Sequence, residues 1–140
     1  MTSATNPSEA DKTLKLVDSV GWLAYLIGNG LADAYEPYLI AQDRLICSAL
    51  NVYEVCRRIE RTAGRKAGAE AVAQMQKAAI IPVDDQIATA AASLSIVHHL
   101  AMADAIIYAT AQLQQAMLIT SDAHFAGLPG VIFIPHAGIT

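Results

Sequence analysis

The stretch Met102-Ala-Asp-Ala-Ile-Ile-Tyr-Ala-Thr-Ala111 decides how the chain is read. It is rich in helix formers and apolar on almost every side, the pattern of a helix buried all round. One carboxylate, Asp104, stands at its start. A buried carboxylate is costly unless it has hydrogen bonds, a cation or a raised pKa. Asp104 therefore predicts partners elsewhere, and the segments on either side indicate where they lie.

Downstream, Met117-Leu-Ile-Thr120 reads as a strand, followed by Ser121-Asp122 and a short turn to Phe125. Gly127-Leu-Pro-Gly130 is a loop, and Val131-Ile-Phe-Ile134 is a further strand. Upstream, residues 84–97 are helical, with Asp84 or Asp85 as the cap. Residues 79–83 form a strand, which Pro82 assigns to an edge or an end. Residues 14–17 and 44–47 are the two earlier strands. Between them lie helices over 20–27, ended by Gly28-Asn-Gly30, and over 32–41, with a kink expected at Pro37. A long helix over 48–63 ends at Gly64, and residues 65–77 continue as another. Short apolar strands alternating with helices imply an α/β layer fold with a mainly parallel five-stranded sheet. Residues 1–13 are polar, contain Pro7 and read as a disordered extension, leaving 14–140 as one domain.

Composition narrows the function. The net charge of −4 excludes gripping nucleic acid by bulk charge alone. Any nucleic-acid role must rest on local patches and metals. Cys47 and Cys56 form no zinc spacing and are expected as buried free thiols. The start lacks the apolar core of a secretory signal, and no apolar run reaches the ~18 residues of a spanning helix. The expectation is a cytoplasmic protein.

Asp18 follows the first strand and Asp122 follows the fourth. Ligands of open parallel sheets bind at the carboxyl ends of strands. Asp104 opens the helix leading into the fourth strand, so it is expected at the same edge. Glu54 lies in the helix after the second strand, close to its apolar side. Singly, each acid has a plain reading: Asp104 a helix cap, Asp122 a turn residue, Glu54 a solvated helix residue. Together they would repel one another by about 4 kcal/mol per pair ~4 Å apart at an effective dielectric of ~20. A divalent cation removes that repulsion, and carboxylates with hydroxyls and waters suit Mg²⁺ or Mn²⁺. Ser19, Ser48, Asn51 and Thr120 are neutral oxygen-bearing neighbours that could complete such a site.

These segments resemble the PIN-domain family, and within it the small VapC-type ribonuclease toxins. Leu16-Val-Asp-Ser19, Ile46-Cys-Ser-Ala-Leu-Asn-Val-Tyr-Glu-Val55, Ala103-Asp-Ala-Ile-Ile-Tyr-Ala-Thr-Ala111 and Leu118-Ile-Thr-Ser-Asp-Ala-His-Phe125 are similar to its four motifs, in order and spacing. Asn51 stands where Thr is common, and Val20 where a small polar residue is frequent. The resemblance implies a three-layer fold and metal-dependent hydrolysis of RNA, leaving a 5′-phosphate and a 3′-hydroxyl. Asp18, Glu54, Asp104 and Asp122 would be catalytic and hold Mg²⁺ (or Mn²⁺), with Asp18 and Asp104 nearest the ion. Ser19, Thr120 and Ser48 would support the ligands or contact phosphate. The implied partners are RNA, a cognate antitoxin and a second copy, with no membrane. The family's dimers form through the first helices, here around Trp22 to Tyr38. Exposed Trp22, Tyr25 or Tyr35 would suit that, as would core packing.

Arg57, Arg58, Arg61, Arg65 and Lys66 concentrate positive charge after Glu54. Arg58, Arg61 and Arg65 follow it at +4, +7 and +11 and are expected on its helix face. They read either as a track for RNA or antitoxin, or as a solvated stripe. His98-His99 are expected at the surface or in a loop. A receiver-like domain lacks its acid pair after strand one, a dehalogenase-type phosphatase lacks its second Asp at Val20, and a silent binding module would not need four acids.

Overall fold

Alternation within the strands decides what each face of the sheet covers. In the computed structural model, which describes residues 12–136, Leu16, Ile46 and Leu118 point to one face, and Val17, Cys47 and Ile119 to the other. Successive strand residues point to opposite sides, so two cores follow from one set of short apolar runs. The strands are β1 (Lys15–Val17), β2 (Leu45–Ser48), β3 (Ala79–Ile81), β4 (Met117–Thr120) and β5 (Val131–Phe133). All neighbours are parallel, in the order β3-β2-β1-β4-β5. The expected mainly parallel sheet is thus wholly parallel, with Pro82 just beyond an edge strand. A receiver-like domain has the order 2-1-3-4-5, so that alternative is excluded.

The helices are α1 (Ser19–Ile27), α2 (Ala32–Ile40), α3 (Ala49–Ala63), α4 (Arg65–Met75), α5 (Asp85–His98) and α6 (Met102–Leu113). Helices α1 to α4 pack on the face carrying Val17 and Ile119. Helices α5 and α6 pack on the opposite face. This is the three-layer arrangement that the resemblance implies. Helix α6 buries Ala105 and the run Ile107 to Ala111, which explains its uniformly apolar sequence.

Local signals set the boundaries. Gly28 takes a left-handed conformation (φ 85°) and closes α1. Helix α2 runs through Pro37 to Ile40. Asp84 caps α5, accepting from the Ile87 amide at 2.9 Å. Ser48 belongs to β2 and also caps α3, accepting from the Leu50 amide, while Asn51 Oδ1 accepts from the Ser48 amide at 3.1 Å. Gly21 has a steric reason: a Cβ there would overlap the Tyr35 ring and Val17 Cγ1.

Several expectations change. Trp22 and Tyr35 are core residues, which removes both from any partner-facing surface; Tyr25 is partly exposed. Cys47 is buried and its thiol is pushed up to about 12 by burial, whereas Cys56 is only partly buried. His98 packs edge-on against Tyr108, and His99 ends α5 at φ 57°. Among the described residues no single helix is long and apolar enough to cross a membrane. The expected disordered extension lies outside the described residues except for Lys12 and Thr13.

Candidate active site

The sheet order changes direction between β1 and β4, the point where doubly wound sheets open a crevice at their carboxyl ends. Asp18 leaves β1 there, and Asp122 lies two residues beyond β4. The Asp18 amide donates to Ile119 O at 2.9 Å, fixing the two strand ends together. Asp18 caps α1: Oδ1 accepts from the Ser19 amide at 2.8 Å, and Oδ2 accepts from the Thr120 hydroxyl at 2.7 Å. Thr120 Oγ1 in turn accepts from the Asp122 amide at 3.0 Å. One threonine therefore positions both strand-end acids.

Glu54 reaches the same place from α3. Its Oε1 accepts from the Ser19 hydroxyl at 2.5 Å, and Ser19 Oγ accepts from Asn51 Nδ2 at 2.9 Å. Asn51 is fully buried, so the amide that completes the α3 cap also orients the serine that orients Glu54. In the sequence Asn51 stands out only as an oxygen-bearing neighbour and a departure from a family pattern. The structure gives it a positioning role between Ser48 and Ser19. Ser48 itself is fully buried and acts through the cap.

Asp104 arrives from the other face. It is the third residue of α6, whose cap is Ala101, so the capping reading of Asp104 is wrong. Ala101 offers no side-chain acceptor, and the acid one turn in is left to point into the cleft. Asp122 Oδ1 accepts from the His124 amide at 2.9 Å and caps the short turn Ala123–Phe125.

Asp18, Ser19, Glu54, Asp104 and Asp122 all line one cleft of about 560 Å³, with Val20, Leu23, Tyr53, Arg57, Arg58, Ser121 and His136. Ser121 is held from below by the buried Tyr35 hydroxyl at 2.6 Å. The expected convergence of four acids is what the chain builds. Electrostatics follow from it. Asp18 is 7% exposed, and its pKa is pushed up from 3.8 to about 6. Burial is the largest cause, offset by the Thr120 and Ser19 hydrogen bonds and reinforced by the charges of Glu54 and Asp104. Asp104 is raised as well, by burial first and then by Asp122, with His124 pulling the other way. The cleft thus concentrates negative charge that its own hydrogen bonds do not neutralise.

That donor set fits a hard divalent cation. Donor atoms of Asp104, Asp122 and His124 lie within 4.8 Å of one another. This group differs from the sequence expectation, which puts Asp18 and Asp104 nearest the ion. Asp18 has both oxygens engaged by hydrogen bonds, whereas Asp104 and Asp122 face each other across the opening. His124 escapes the sequence reading altogether, although its place two residues after Asp122 is a usable signal. Its Nδ1 lies 2.9 Å from Asp122 Oδ1 and 3.7 Å from Asp104 Oδ2.

The basic stripe is only partly at the site. Arg58 lines the cleft, and so does Arg57, at the equally close +3 spacing from Glu54. Arg61 borders a neighbouring groove between α3 and α4, which shares Tyr53 and Arg57 with the cleft. Arg65 is not on the Glu54 helix. Gly64 breaks the chain at φ 96°, Arg65 begins α4, and its Nε pairs with Glu60 at 3.7 Å. One helical face cannot be extrapolated across that glycine.

The fold is shared with known proteins. A chain of a toxin–antitoxin complex from Klebsiella pneumoniae superposes with a TM-score of 0.69 at 29% identity, covering 84% of this chain and 95% of that one. DNA-bound VapBC from Salmonella typhimurium gives 0.70 at 15% identity, over 88% and 98% of the two chains. Mycobacterium tuberculosis VapC20, a sarcin–ricin loop cleaving toxin, gives 0.63 at 15% identity, over 74% and 85%. No curated protein matches the chain. Residues 15–131 match the PIN domain, and that match, running from the start of β1 to the start of β5, shows that the chain belongs to the PIN-domain family.

Proposed function

We propose that the protein is a metal-dependent endoribonuclease and the toxin of a type II toxin–antitoxin pair. The observation that carries the reading is the meeting of Asp18, Glu54, Asp104 and Asp122 in one cleft whose wall bears Arg57 and Arg58. Acids that crowd together without internal neutralisation suit a cation, and arginines beside them suit a phosphate. The likeness to the Klebsiella chain supports the toxin role and a cognate antitoxin as partner. A homodimer and a larger toxin–antitoxin assembly belong to the same reading.

Asp104 and Asp122, with Asp18 and Glu54 behind them, would hold Mg²⁺ or Mn²⁺. The ion, when bound, lowers the pKa of a bound water and offsets charge on the phosphate and leaving oxygen. The chain's own residues do the rest. Thr120 holds Asp18 and the Asp122 backbone in register. Ser19 and Asn51 hold Glu54, which would accept a proton from the attacking water. Arg57 and Arg58 draw the RNA backbone toward the acids, which otherwise repel it.

The test is cleavage of total RNA by purified protein with Mg²⁺ or Mn²⁺, followed by sequencing of the new ends. Products with a 5′-phosphate are expected. Asp104→Asn should abolish cleavage while the far-ultraviolet dichroism stays unchanged; cleavage surviving in that variant would remove the site assignment. Growth arrest on expression, relieved by co-expressing a cognate antitoxin, separates a toxin from an RNA-processing enzyme of the same fold.

A further inference from the structure

Resting on the metal-dependent reading above, we propose that His124 is a direct metal ligand, and that its nitrogen makes this cleft select Mn²⁺ over Mg²⁺. Geometry is the first argument. His124 Nδ1 stands 2.9 Å from Asp122 Oδ1 and 3.7 Å from Asp104 Oδ2. Adjacent ligands of an octahedral ion at ~2.1 Å are separated by about 3 Å, and opposite ones by about 4 Å. Both His124 separations lie in that range, and donor atoms of all three residues fall within 4.8 Å of one another, so small side-chain rotations would close a site.

The second argument is that the fold fixes the backbone that carries the ring beside the two acids. The Asp122 carboxylate accepts from the His124 amide and shapes the Ala123–Phe125 turn. Phe125 is fully buried against Tyr108 and anchors the turn one residue later. The His124 side chain is 76% exposed, so it fills no core space. What it contributes to the molecule is its nitrogen beside two acids.

The third argument is donor chemistry. Mg²⁺ binds oxygen and keeps several waters, and gains little from an imidazole. Mn²⁺ accepts nitrogen more readily along the first transition row. An all-carboxylate site would separate the two ions weakly, and one histidine widens the gap.

Two measurements on the full chain test this. Mn²⁺ affinity is measured by titration calorimetry and Mg²⁺ affinity by competition, for the parent, His124→Ala and His124→Gln. Pulsed electron paramagnetic resonance of bound Mn²⁺ then reads nitrogen coupling directly. The parent should show nitrogen coupling and bind Mn²⁺ more tightly than Mg²⁺. Both variants should lose the coupling and at least about tenfold in Mn²⁺ affinity, with Mg²⁺ affinity moving by less than about threefold. Coupling that persists in the variants, or is missing in the parent, overturns the proposal. So does an equal loss for both ions, which would mean that His124 acts only by charge or by shaping the turn. Mn²⁺ binding without nitrogen coupling removes His124 alone and leaves the metal-dependent reading standing. If neither ion binds the parent, both fall.

Discussion

Replacing Asp18 with Asn should stabilise the metal-free protein at neutral pH while abolishing its activity. Asp18 is nearly fully buried, and its pKa stands at about 6 against an ordinary 3.8. A carboxyl whose folded pKa is raised holds its proton more tightly in the folded state. Between these two values the folded state binds more protons than the unfolded one, so stability falls as pH rises through the window. Below it both states are protonated and nothing is lost. Above it the full difference applies, about 3 kcal/mol at ~1.4 kcal/mol per unit. Asparagine removes that cost at every pH. Its one carbonyl oxygen replaces two acceptors, so either the Ser19 amide or the Thr120 hydroxyl loses its bond, at about 1 kcal/mol.

The expected net effect is a gain of about 1–2 kcal/mol for Asp18→Asn at pH 7, turning into a small loss near pH 4. Urea unfolding in EDTA, at pH 4, 5, 6 and 7, reads the difference between variant and parent. The crossing of the two curves is the diagnostic feature. Saturating Mn²⁺ should then stabilise the parent, by about 2.7 kcal/mol at one hundred times its dissociation constant, and the variant by less. A variant less stable than the parent by the same amount at every pH would refute the reasoning. Asp18 would then be an ordinary hydrogen-bonded cap, and the crowding of charge at the β1 end would have no energetic consequence.

Asn51→Ala strips an acceptor from the buried Ser48 amide and a donor from Ser19, and should cost about 1–3 kcal/mol with cleavage impaired through Glu54; a urea midpoint shift at unchanged slope checks the first part. Gly21→Ala drives a methyl into Tyr35 and Val17 and should destabilise by about 1–3 kcal/mol, read as a lower melting temperature. Arg57→Glu with Arg58→Glu should weaken RNA binding and flatten its salt dependence by about one unit of log–log slope for each arginine–phosphate pairing removed, whereas Arg65→Glu should leave both nearly unchanged. Fluorescence anisotropy with a labelled RNA across a salt series separates the two cases.

Most of the fold is legible in the sequence because its signals are local. The strand runs ending at Val17 and Thr120, the Asp84 cap and the Gly28 stop each depend on a few neighbouring residues, and each is where the sequence puts it, whereas Ser48, expected as the first helical residue, ends β2 and caps α3. The four acids are legible because they occupy strand ends and a helix start in a sheet whose ligand edge is known in advance. What spacing misses depends on the third dimension. Trp22 and Tyr35 pack together in the core because Gly21 lets α2 come close, and spacing alone leaves a core aromatic and an interface aromatic alike. A helical face followed only at +4, and past a glycine where the axis changes, omits Arg57 and wrongly includes Arg65. His124 shows in the sequence only its spacing to Asp122; its second partner, Asp104, comes from a separate segment.

The placement of the acids also explains how an energetically poor cluster persists. Asp18 caps α1, Asp104 lies in the first turn of α6, and Asp122 caps the turn that follows β4. At each place the exposed amides and the partial positive charge of the backbone favour a carboxylate, by about 0.3–1 kcal/mol. That is smaller than the penalty at Asp18, where burial still leaves the pKa raised. The backbone therefore lowers the cost of bringing the acids together without removing it. The remainder must be met from outside the chain or by protonation. A site whose ligands are rigid, because caps and Thr120 hold them, cannot spread apart to relieve its own repulsion. Rigidity thus converts the leftover charge into affinity for a cation, and the oily body of α6 provides it for Asp104.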